Sequence, residues 1–447
     1  MKKLLFGLSL VILPSLCLAA EKKQLGVDEA VGLAMKNNKL LHISKSKEDF
    51  AVSKHKETTT AGKPTINLSG TYTRLSDVPS LSIPMQMGPG GPWVNTPLTT
   101  NIPNTYALKA AVLQPLFTGG TIKGAEQSAD YSAMAARTDV ANDKMELAYS
   151  VRTAYWNVYK ALRVKSVLEK NVQQIQQHLE DVQNMVKAGI ILKDEQLKAE
   201  VQLSNTRFSL ADADNNAKLS MMTLNNIIGV PLDTEIEPTT KLQQENKPLK
   251  QLSQYLEEAK ENRPDVKAAM LRIDASSSAI TSARGALFPQ VSLFGEADYM
   301  DPNQRYFPAT DTWNWSWDVG IAVTYNLLDW GAVKYRVQQA EATRSEASFG
   351  LEQLRDSATL DVNQSYLFLK QASDRIAIAR LAVEQAEESL RITKNRFSGG
   401  FATNTDVLDA EVALLQSQLN LTVATADYEI ADARMKKSVG APEAQAE

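Results

Sequence analysis

The sequence predicts a mainly α-helical protein with a small β part, built from two copies of one structural unit. Three observations support this prediction: an internal repeat, two long stretches without proline, and short segments in which apolar and polar residues alternate. The chain has 447 residues, of which 43% are hydrophobic and 22% charged, as is usual for a folded protein. Its 52 acidic residues outnumber its 48 Lys and Arg residues, so no basic excess favours nucleic-acid binding.

The internal repeat aligns two pairs of segments without gaps. Residues 37–70 match residues 262–295 at an offset of 225, and the block that begins at Leu116 matches the second half of the chain at an offset of 211. The offsets differ by 14, so the first copy contains 14 additional residues between the two blocks. We therefore predict two structural repeats, residues 21–240 and residues 241–447.

The placement of proline separates helical from non-helical segments. Residues 116–230 and 309–441 contain no proline, a residue that breaks helix interiors. Apolar and small residues follow heptad spacing there, which indicates coiled-coil packing. One glycine-containing break interrupts each segment and fits a helix C-cap. We predict two helical hairpins, at about 121–229 and 332–440, each with a helix of about 65 residues and a returning helix of about 35.

The proline-rich segments alternate between apolar and polar residues, as one-sided β-strands do. The clearest case runs from Trp313 to Leu327, where the odd positions are aromatic or aliphatic. One apolar and one polar face are typical of outer-membrane barrels, which carry aromatic residues near the membrane interfaces. A soluble sheet with one buried face is the alternative. Four strands are predicted, at about 64–76, 105–117, 289–300 and 313–328. The candidates for an aromatic girdle are Tyr106, Trp313, Trp315 and Trp317.

Residues 1–20 have the pattern of an export signal. Two lysines precede an apolar run that ends in small residues, and we expect cleavage near Ala20. The run is too short to cross a bilayer as a helix. Lipidation at Cys17, the only cysteine, is the alternative, although Leu16 stands where a lipoprotein signal prefers a small residue.

Four strands are too few to close a barrel, because small barrels have at least eight. Unpaired strand edges are not tolerated in lipid, so the chain is expected to oligomerise. Three copies would supply twelve strands and form the simplest closed ring with a lumen. The sequence alone leaves a dimer and a tetramer open.

The chain resembles the TolC family of outer-membrane efflux ducts over essentially its whole mature length. The resemblance rests on the duplicated hairpins and on three motifs: QPLFTGG at 114–120, its weaker copy NLLDWG at 326–331, and TDVLDA at 405–410. It implies a trimer in which a twelve-stranded outer-membrane β-barrel continues into a long periplasmic α-helical coiled-coil barrel.

The resemblance also implies partners and a location. The partners are a periplasmic adaptor (membrane fusion protein), an inner-membrane pump of the RND, ABC or MFS type, and outer-membrane lipid. The implied function is an exit duct of an efflux or type I secretion system in a Gram-negative bacterium. No enzymatic activity, catalytic residue, cofactor, metal or nucleic acid is expected.

The resemblance places a periplasmic mouth at the hairpin turns. Asp406 and Asp409 lie three residues apart on one helix face and match family aspartates that line the mouth and bind cations. Glu195 occupies the position of Asp406 in the first repeat. Six such aspartates around one axis would repel one another, raise their own pKa values and attract cations. The alternative is a solvated helix start, where Asp favours the helix dipole.

The family closes its mouth with a Tyr and an Arg near the second turn. The corresponding residues are Phe397 and Ala402 in this sequence, so that latch is not expected. Arg396 or Lys193 could pair with Glu195 instead; the alternative is that either is a solvated surface charge.

The resemblance also places the adaptor contact at the turn tips. Exposed Ile190 and Phe401 beside glycines would suit a partner surface. The alternative is that both side chains pack into neighbouring helices of the chain. The tip residues are Ala188, Gly189, Ile190, Gly399, Gly400 and Phe401.

The remaining candidates for metal ligands, two methionines and three histidines, are weak. Met85 and Met87 lie in a loop at about 76–104 and are interpreted as external loop residues rather than metal ligands. The three histidines lack ligand spacing and are interpreted as surface or packing residues: His42, His55 and His178.

Two alternative functions stay open at this point. A soluble periplasmic coiled-coil scaffold or adaptor explains the heptads but not the strands. A hydrolase that uses Asp406 and Asp409 as an acid/base pair lacks an evident pocket or motif.

Overall fold

The computed structural model describes residues 23–79, 81–97, 101–240 and 248–441, and the expected export signal lies outside these ranges. None of the helices in the described ranges combines the length and the apolar character needed to cross a membrane. The elements in chain order are β1 (Lys23–Leu25), α1 (Val27–Asn37), α2 (Lys39–Thr60), β2 (Thr65–Arg74), β3 (Ser82–Gln86), β4 (Trp93–Pro97), β5 (Asn104–Phe117), α3 (Thr121–Lys187), α4 (Lys193–Ile228), β6 (Ile236–Pro238), α5 (Leu252–Asn262), α6 (Pro264–Gly285), β7 (Gln290–Asp301), β8 (Asn314–Thr324), α7 (Ala332–Ser398) and α8 (Asn404–Ser438).

The element order repeats. A short strand, two helices, two long strands, a long helix and a shorter helix occur once from β1 to α4 and again from β6 to α8. The first copy has one extra hairpin, β3–β4, between its long strands, in the segment that carries the additional residues. Met85 of this hairpin lies opposite Val94. The interpretation of 76–104 as an external loop therefore missed a two-stranded hairpin.

The helical hairpins have the predicted proportions. Helices α3 and α7 have 67 residues each, and the returning helices α4 and α8 have 36 and 35. Each turn contains a glycine with positive φ, Gly189 at +74° and Gly400 at +78°. The next residue donates its N–H to the carbonyl five residues back, at 2.9 Å for Ile190 and 2.8 Å for Phe401. This Schellman-type ending explains why a glycine is placed at each tip.

The chain forms two compact units, and each contains segments of both predicted repeats. The first unit comprises the described residues of Met1–Lys45, Asp139–Pro264 and Leu354–Glu447. Its largest apolar core contains the fully buried Tyr155, whose hydroxyl donates to Leu25 O at 3.0 Å and accepts from Thr240 N at 3.1 Å. These bonds attach the parallel pair β1–β6 and the segment after it to α3.

The second unit comprises Ser46–Thr138 and Asp265–Gln353 and contains an antiparallel sheet in the order β2-β5-β7-β8. The two hairpins of this sheet have equivalent registers. Gly70 lies opposite Leu108 in the first copy, and the repeat-related residues Gly295 and Val319 lie opposite each other in the second. The sheet therefore preserves the duplication at the level of single residue pairs.

Strand β8 is shorter than the predicted 313–328. It ends at Thr324, and the chain then turns toward α7. Asp329 caps that helix, since its carboxylate accepts from Gly331 N at 2.9 Å and from Val333 N at 2.8 Å. Alternation continues to Leu327 in the sequence, but the geometry of the helix start ends the strand earlier.

Candidate functional site

Helix α8 begins with a capping box that includes Asp406. The backbone N–H and the hydroxyl of Thr403 both donate to Asp406 Oδ2 at 2.7 Å, and Asp406 N donates to Thr403 Oγ1 at 3.2 Å. The bond from the Thr403 backbone, followed by the bond from its hydroxyl, holds the pKa of Asp406 below its usual range. The raised pKa expected for six aspartates around one axis concerns an assembly of several chains and stays a prediction. Asp409 lies exposed one turn further along α8.

Glu195 belongs to a polar bridge between the two helical hairpins. Asn404, the first residue of α8, is 3% exposed and donates from Nδ2 to Glu195 O at 3.0 Å and to Glu195 Oε2 at 3.1 Å. Its Oδ1 lies 2.7 Å from Nε2 of the buried His178 in α3. Because the amide nitrogen faces Glu195, the oxygen faces His178, and Nε2 must carry the shared hydrogen. Lys198 completes the bridge by donating to Glu195 Oε1 at 2.7 Å.

We call Lys198, Glu195, Asn404 and His178 the tip bridge. The hydrogen bond from Lys198 and, to a smaller extent, that from Asn404 hold the pKa of Glu195 below its usual range. The bridge joins residues of three helices, α3, α4 and α8, close to both turns. It therefore ties the ends of the two hairpins to each other.

The predicted partners of Glu195 are wrong. Lys193 donates to Gln196 Oε1 at 2.7 Å, and Arg396 donates to the carbonyl of Phe401 at 3.1 Å. Sequence reasoning missed Asn404 and Lys198, since neither residue type suggests a contact between distant segments. His178 is a packing residue, as interpreted, with its ring 5.7 Å from that of Phe397.

The turn tips are exposed. Ile190 and Phe401 are 70% and 78% exposed, so neither tucks into a neighbouring helix of the chain. An open groove of about 590 Å³ lies beside them between α3 and α7. Its lining includes apolar, acidic and basic side chains, among them Met185, Phe397, Asp181 and Lys394.

A buried carboxylate in the second hairpin pairs with a partly exposed lysine. Glu411 of α8 is 1% exposed, and Lys394 Nζ of α7 lies 2.8 Å from its Oε1. A buried carboxylate needs such a partner because desolvation penalises its charge. The pair fixes α7 against α8 two turns from the tip.

The sheet has one apolar face and one polar face. On the apolar face, exposed side chains of β8 include Trp315, Trp317, Val319, Ile321 and Val323. On the polar face, Lys109 pairs with Glu296 at 2.5 Å, and Arg305 pairs with Asp318.

An aromatic cluster marks the end of the sheet near Trp313. The ring of Trp313 lies 4.9 Å from that of Tyr299 and 5.9 Å from that of Tyr106, which in turn lies 5.1 Å from Tyr72. Two of the four girdle candidates, Tyr106 and Trp313, are thus brought together. Trp315 and Trp317 follow along the apolar face.

The chain belongs to the outer membrane efflux protein family, whose sequence model matches residues 31–230 and 255–441. It is 21% identical over 328 residues to the outer membrane efflux protein BepC of Brucella suis, covering 73% of this chain and 70% of BepC. It is 24% identical over 312 residues to the outer membrane protein TolC of Escherichia coli, covering 67% of this chain and 62% of TolC.

Solved structures share the fold. The outer membrane protein VceC of Vibrio cholerae superposes with a TM-score of 0.77 at 18% identity, covering 93% of this chain and 96% of VceC. These findings confirm the predicted TolC-like fold, the outer-membrane location and the class of function, an outer-membrane efflux or secretion protein. They do not support the soluble scaffold. The family is one of channel proteins, and the absence of enzymatic activity stays a prediction.

Proposed function

We propose that three copies of this chain form an exit duct, with a twelve-stranded β-barrel in the outer membrane and a helical tunnel in the periplasm. The duct would receive substrates from an inner-membrane pump through a periplasmic adaptor that docks on the hairpin tips. The pump class, whether RND, ABC or MFS, stays open. A homotrimer in outer-membrane lipid, without nucleic acid, is the functional state in this proposal.

The observation that carries the proposal is the pair of open sheet edges, β2 and β8. The internal junction β5–β7 joins the second strand of one copy to the first strand of the next. Pairing of β8 with β2 of another chain would make the same kind of junction. A ring therefore closes by repeating a contact that the chain already contains.

The internal junction also gives a register for the junction between chains. Leu113 of β5 lies opposite Phe294 of β7. Moving Leu113 forward by the offset of 211 gives Thr324, and moving Phe294 back by 225 gives Ser69. Thr324 of one chain should thus lie opposite Ser69 of the next.

The long helices carry exposed apolar stripes that suit a wall of packed helices. Steps of eleven residues return to nearly the same helix face. Such steps relate exposed Leu197, Phe208 and Leu219 on α4. They also relate Phe349 to Leu360, and Leu367 to Ile378, on α7. Apolar side chains left exposed in this pattern favour burial against a second copy.

A cross-linking experiment tests the ring. In a Cys17→Ser background, the pair Ser69→Cys and Thr324→Cys should form disulfides between chains, because directly opposite residues of antiparallel strands have Cα atoms about 4.5–5.5 Å apart. The control pair Thr65→Cys and Thr324→Cys is displaced by four residues, or about 13 Å, and should not cross-link.

Native mass spectrometry of the detergent-extracted protein should give three chains, and the cross-linked sample should run as a covalent trimer. A mass of two or four chains, or equal cross-linking in the control pair, would contradict the proposal.

We further propose that Asp406, Asp409 and Glu195 line the periplasmic mouth and that the carboxylates of three chains attract cations. Single-channel conductance should be blocked by a multivalent cation such as hexamminecobalt, and Asp406→Ala with Asp409→Ala should weaken the block at least tenfold. The control is Glu384→Ala with Glu387→Ala, which removes two carboxylates at the same spacing from α7. An unchanged cation block in the Asp406/Asp409 double variant would contradict the proposed ring of carboxylates.

The docking of an adaptor on the tips needs its own test. A photo-cross-linker at Gly189 or Gly400 in cells should capture a periplasmic protein, whereas the same group at Gly350 in α7 should not. Support comes from the exposure of Ala188, Ile190, Gly399 and Phe401 beside these two glycines. Equal capture at all three positions would contradict this docking site.

A further inference from the structure

A cluster of exposed aromatic, aliphatic and basic side chains lies where β8 leads into α7. Trp330 is 87% exposed, and the exposed Leu327 and Leu328 precede it. Lys334 and Arg336 are exposed on the first two turns of α7. We call these five residues the junction patch. Trp313 precedes the first residue of β8, whereas the junction patch follows its last residue, Thr324.

The backbone holds Trp330 in a conformation that is rare for a bulky residue. Its φ is +53°, in the left-handed region that favours glycine. The repeat-related residue is Gly119, with φ +62°. At Gly119 a Cβ would lie 2.4 Å from Gly285 O, so only glycine fits that turn. The same position in the second repeat is exposed to solvent, so it has room for a side chain, and Trp330 stands there.

Packing within the chain does not account for this strained tryptophan, since most of its surface is exposed. Strain and exposed apolar surface together point to a contact outside the chain. The patch begins three residues after the end of β8, whose apolar face Trp315, Trp317 and Val323 occupy. The contact should therefore be continuous with whatever covers that face.

The length of β8 fixes how far the patch lies, across the membrane, from the aromatic cluster near Trp313. From Trp315 to Thr324 the strand rises about 30 Å along its own axis. A tilt of about 40° reduces this to about 23 Å, close to the apolar band of about 25 Å in outer-membrane barrels. If the aromatic cluster near Trp313 lies at one membrane interface, the junction patch lies at the other.

We infer that the junction patch anchors the protein in the periplasmic leaflet of the outer membrane. Trp330 lies at the boundary between headgroups and acyl chains, as tryptophan does at membrane interfaces. Leu327 and Leu328 contact acyl chains, and Lys334 and Arg336 bind the phosphates of phospholipid headgroups. This inference rests on the proposed membrane duct. It places the periplasmic end of the membrane-spanning part of the duct at the junction patch.

Depth-dependent fluorescence quenching tests the inference. Single-cysteine variants in the Cys17→Ser background are labelled with bimane and reconstituted as the assembled protein in vesicles of phosphatidylethanolamine and phosphatidylglycerol. The probe positions are Trp330→Cys and Leu328→Cys in the patch, Val319→Cys in the middle of β8, and Trp93→Cys in β4. The second patch position keeps the test valid if one patch variant does not assemble.

Three quenchers are compared: a nitroxide on the lipid headgroup, a nitroxide on carbon 12 of the acyl chain, and aqueous iodide. The order of their quenching efficiencies should differ from one probe position to the next. A headgroup nitroxide should quench position 330 at least twofold more than a nitroxide on carbon 12 of the acyl chain. Position 319 should show the reverse order, and position 93 should be quenched by aqueous iodide alone.

Each contrary result has a separate meaning. Quenching of positions 328 and 330 by iodide alone would overturn the anchor, and protection from all three quenchers would assign the patch to a contact with a second copy. In both cases quenching of position 319 by acyl-chain nitroxide would leave the proposed duct intact. Absence of lipid quenching at position 319 would contradict the duct itself.

Discussion

Asn404 satisfies polar groups on two other helices at once. Its amide nitrogen donates to Glu195, and its oxygen accepts from His178. All three groups are removed from water to some degree, so a lost partner leaves desolvated polar atoms unpaired. A single substitution at Asn404 should therefore disrupt this contact between the hairpins.

Asn404→Ala should loosen the hairpin ends. Unpaired groups at Glu195 and His178 should cost roughly 1–3 kcal/mol of local stability. Hydrogen exchange of the backbone amides in the first turns of α4 and α8 should accelerate accordingly. Asn395→Ala, which replaces an exposed asparagine near the same tip, should leave exchange unchanged. Equal exchange in the two variants would mean that the bridge contributes no stability.

Acidification should loosen the same region. The folded-state pKa values of Asp406 and Glu195 lie below the unfolded values of 3.8 and 4.5. Their stabilisation is therefore complete above those unfolded values and is lost as the pH falls through the lower folded values. A spin label at Gly400→Cys should become more mobile below about pH 4. With Asp406→Asn and Glu195→Gln, mobility should already be raised at pH 7 and change less; an unaltered pH profile would contradict this assignment.

The elements differ in how much the sequence predicts of them. Heptad spacing and the lack of proline predicted the long helices to within a few residues, because helix interiors depend on local periodicity. The end of β8 and the hairpin β3–β4 were missed, since a helix cap at Asp329 and the pairing of short strands depend on neighbouring structure. Asp406 and Asp409 were selected from a sequence motif, whereas the tip bridge joins residues more than two hundred positions apart.

The close approach of α3 and α6 depends on Gly124. A Cβ at this position would lie 2.4 Å from Ser282 N and 2.8 Å from Ser278 O, both backbone atoms that cannot easily move. Gly124→Ala should therefore separate the helices and lower the melting temperature by several degrees.

A matched helix glycine gives the opposite expectation. Gly350 of α7 has open space around it, so Gly350→Ala should stabilise the helix by about 0.5–1 kcal/mol. Thermal unfolding followed by circular dichroism compares the two variants. Similar melting temperatures for both would contradict the close-packing argument.

The whole molecule combines a sheet that is apolar on one face with helical hairpins whose tips expose Ile190 and Phe401. The two faces of β8 should respond differently to charge if the apolar face meets lipid. Ile321→Lys places a charge on that face and should cost about 2–4 kcal/mol at the membrane midplane. Ala322→Lys places the same charge on the opposite face, next to Ser292, and should be tolerated.

Outer-membrane fractions from cells that produce each variant provide the measurement. The amount of assembled protein should fall severalfold for Ile321→Lys and stay near that of the unchanged chain for Ala322→Lys. A larger loss for Ala322→Lys would reverse the assignment of the two faces.

The equivalent registers of the two strand hairpins have a consequence for symmetry. A gene of half this length could in principle build a similar ring from six identical subunits, joined six times by one kind of seam. Fusion of two halves lets alternate positions around such a ring diverge. Hairpin β3–β4 in one half, and a tryptophan in place of glycine in the other, are differences that a ring of six identical subunits could not contain.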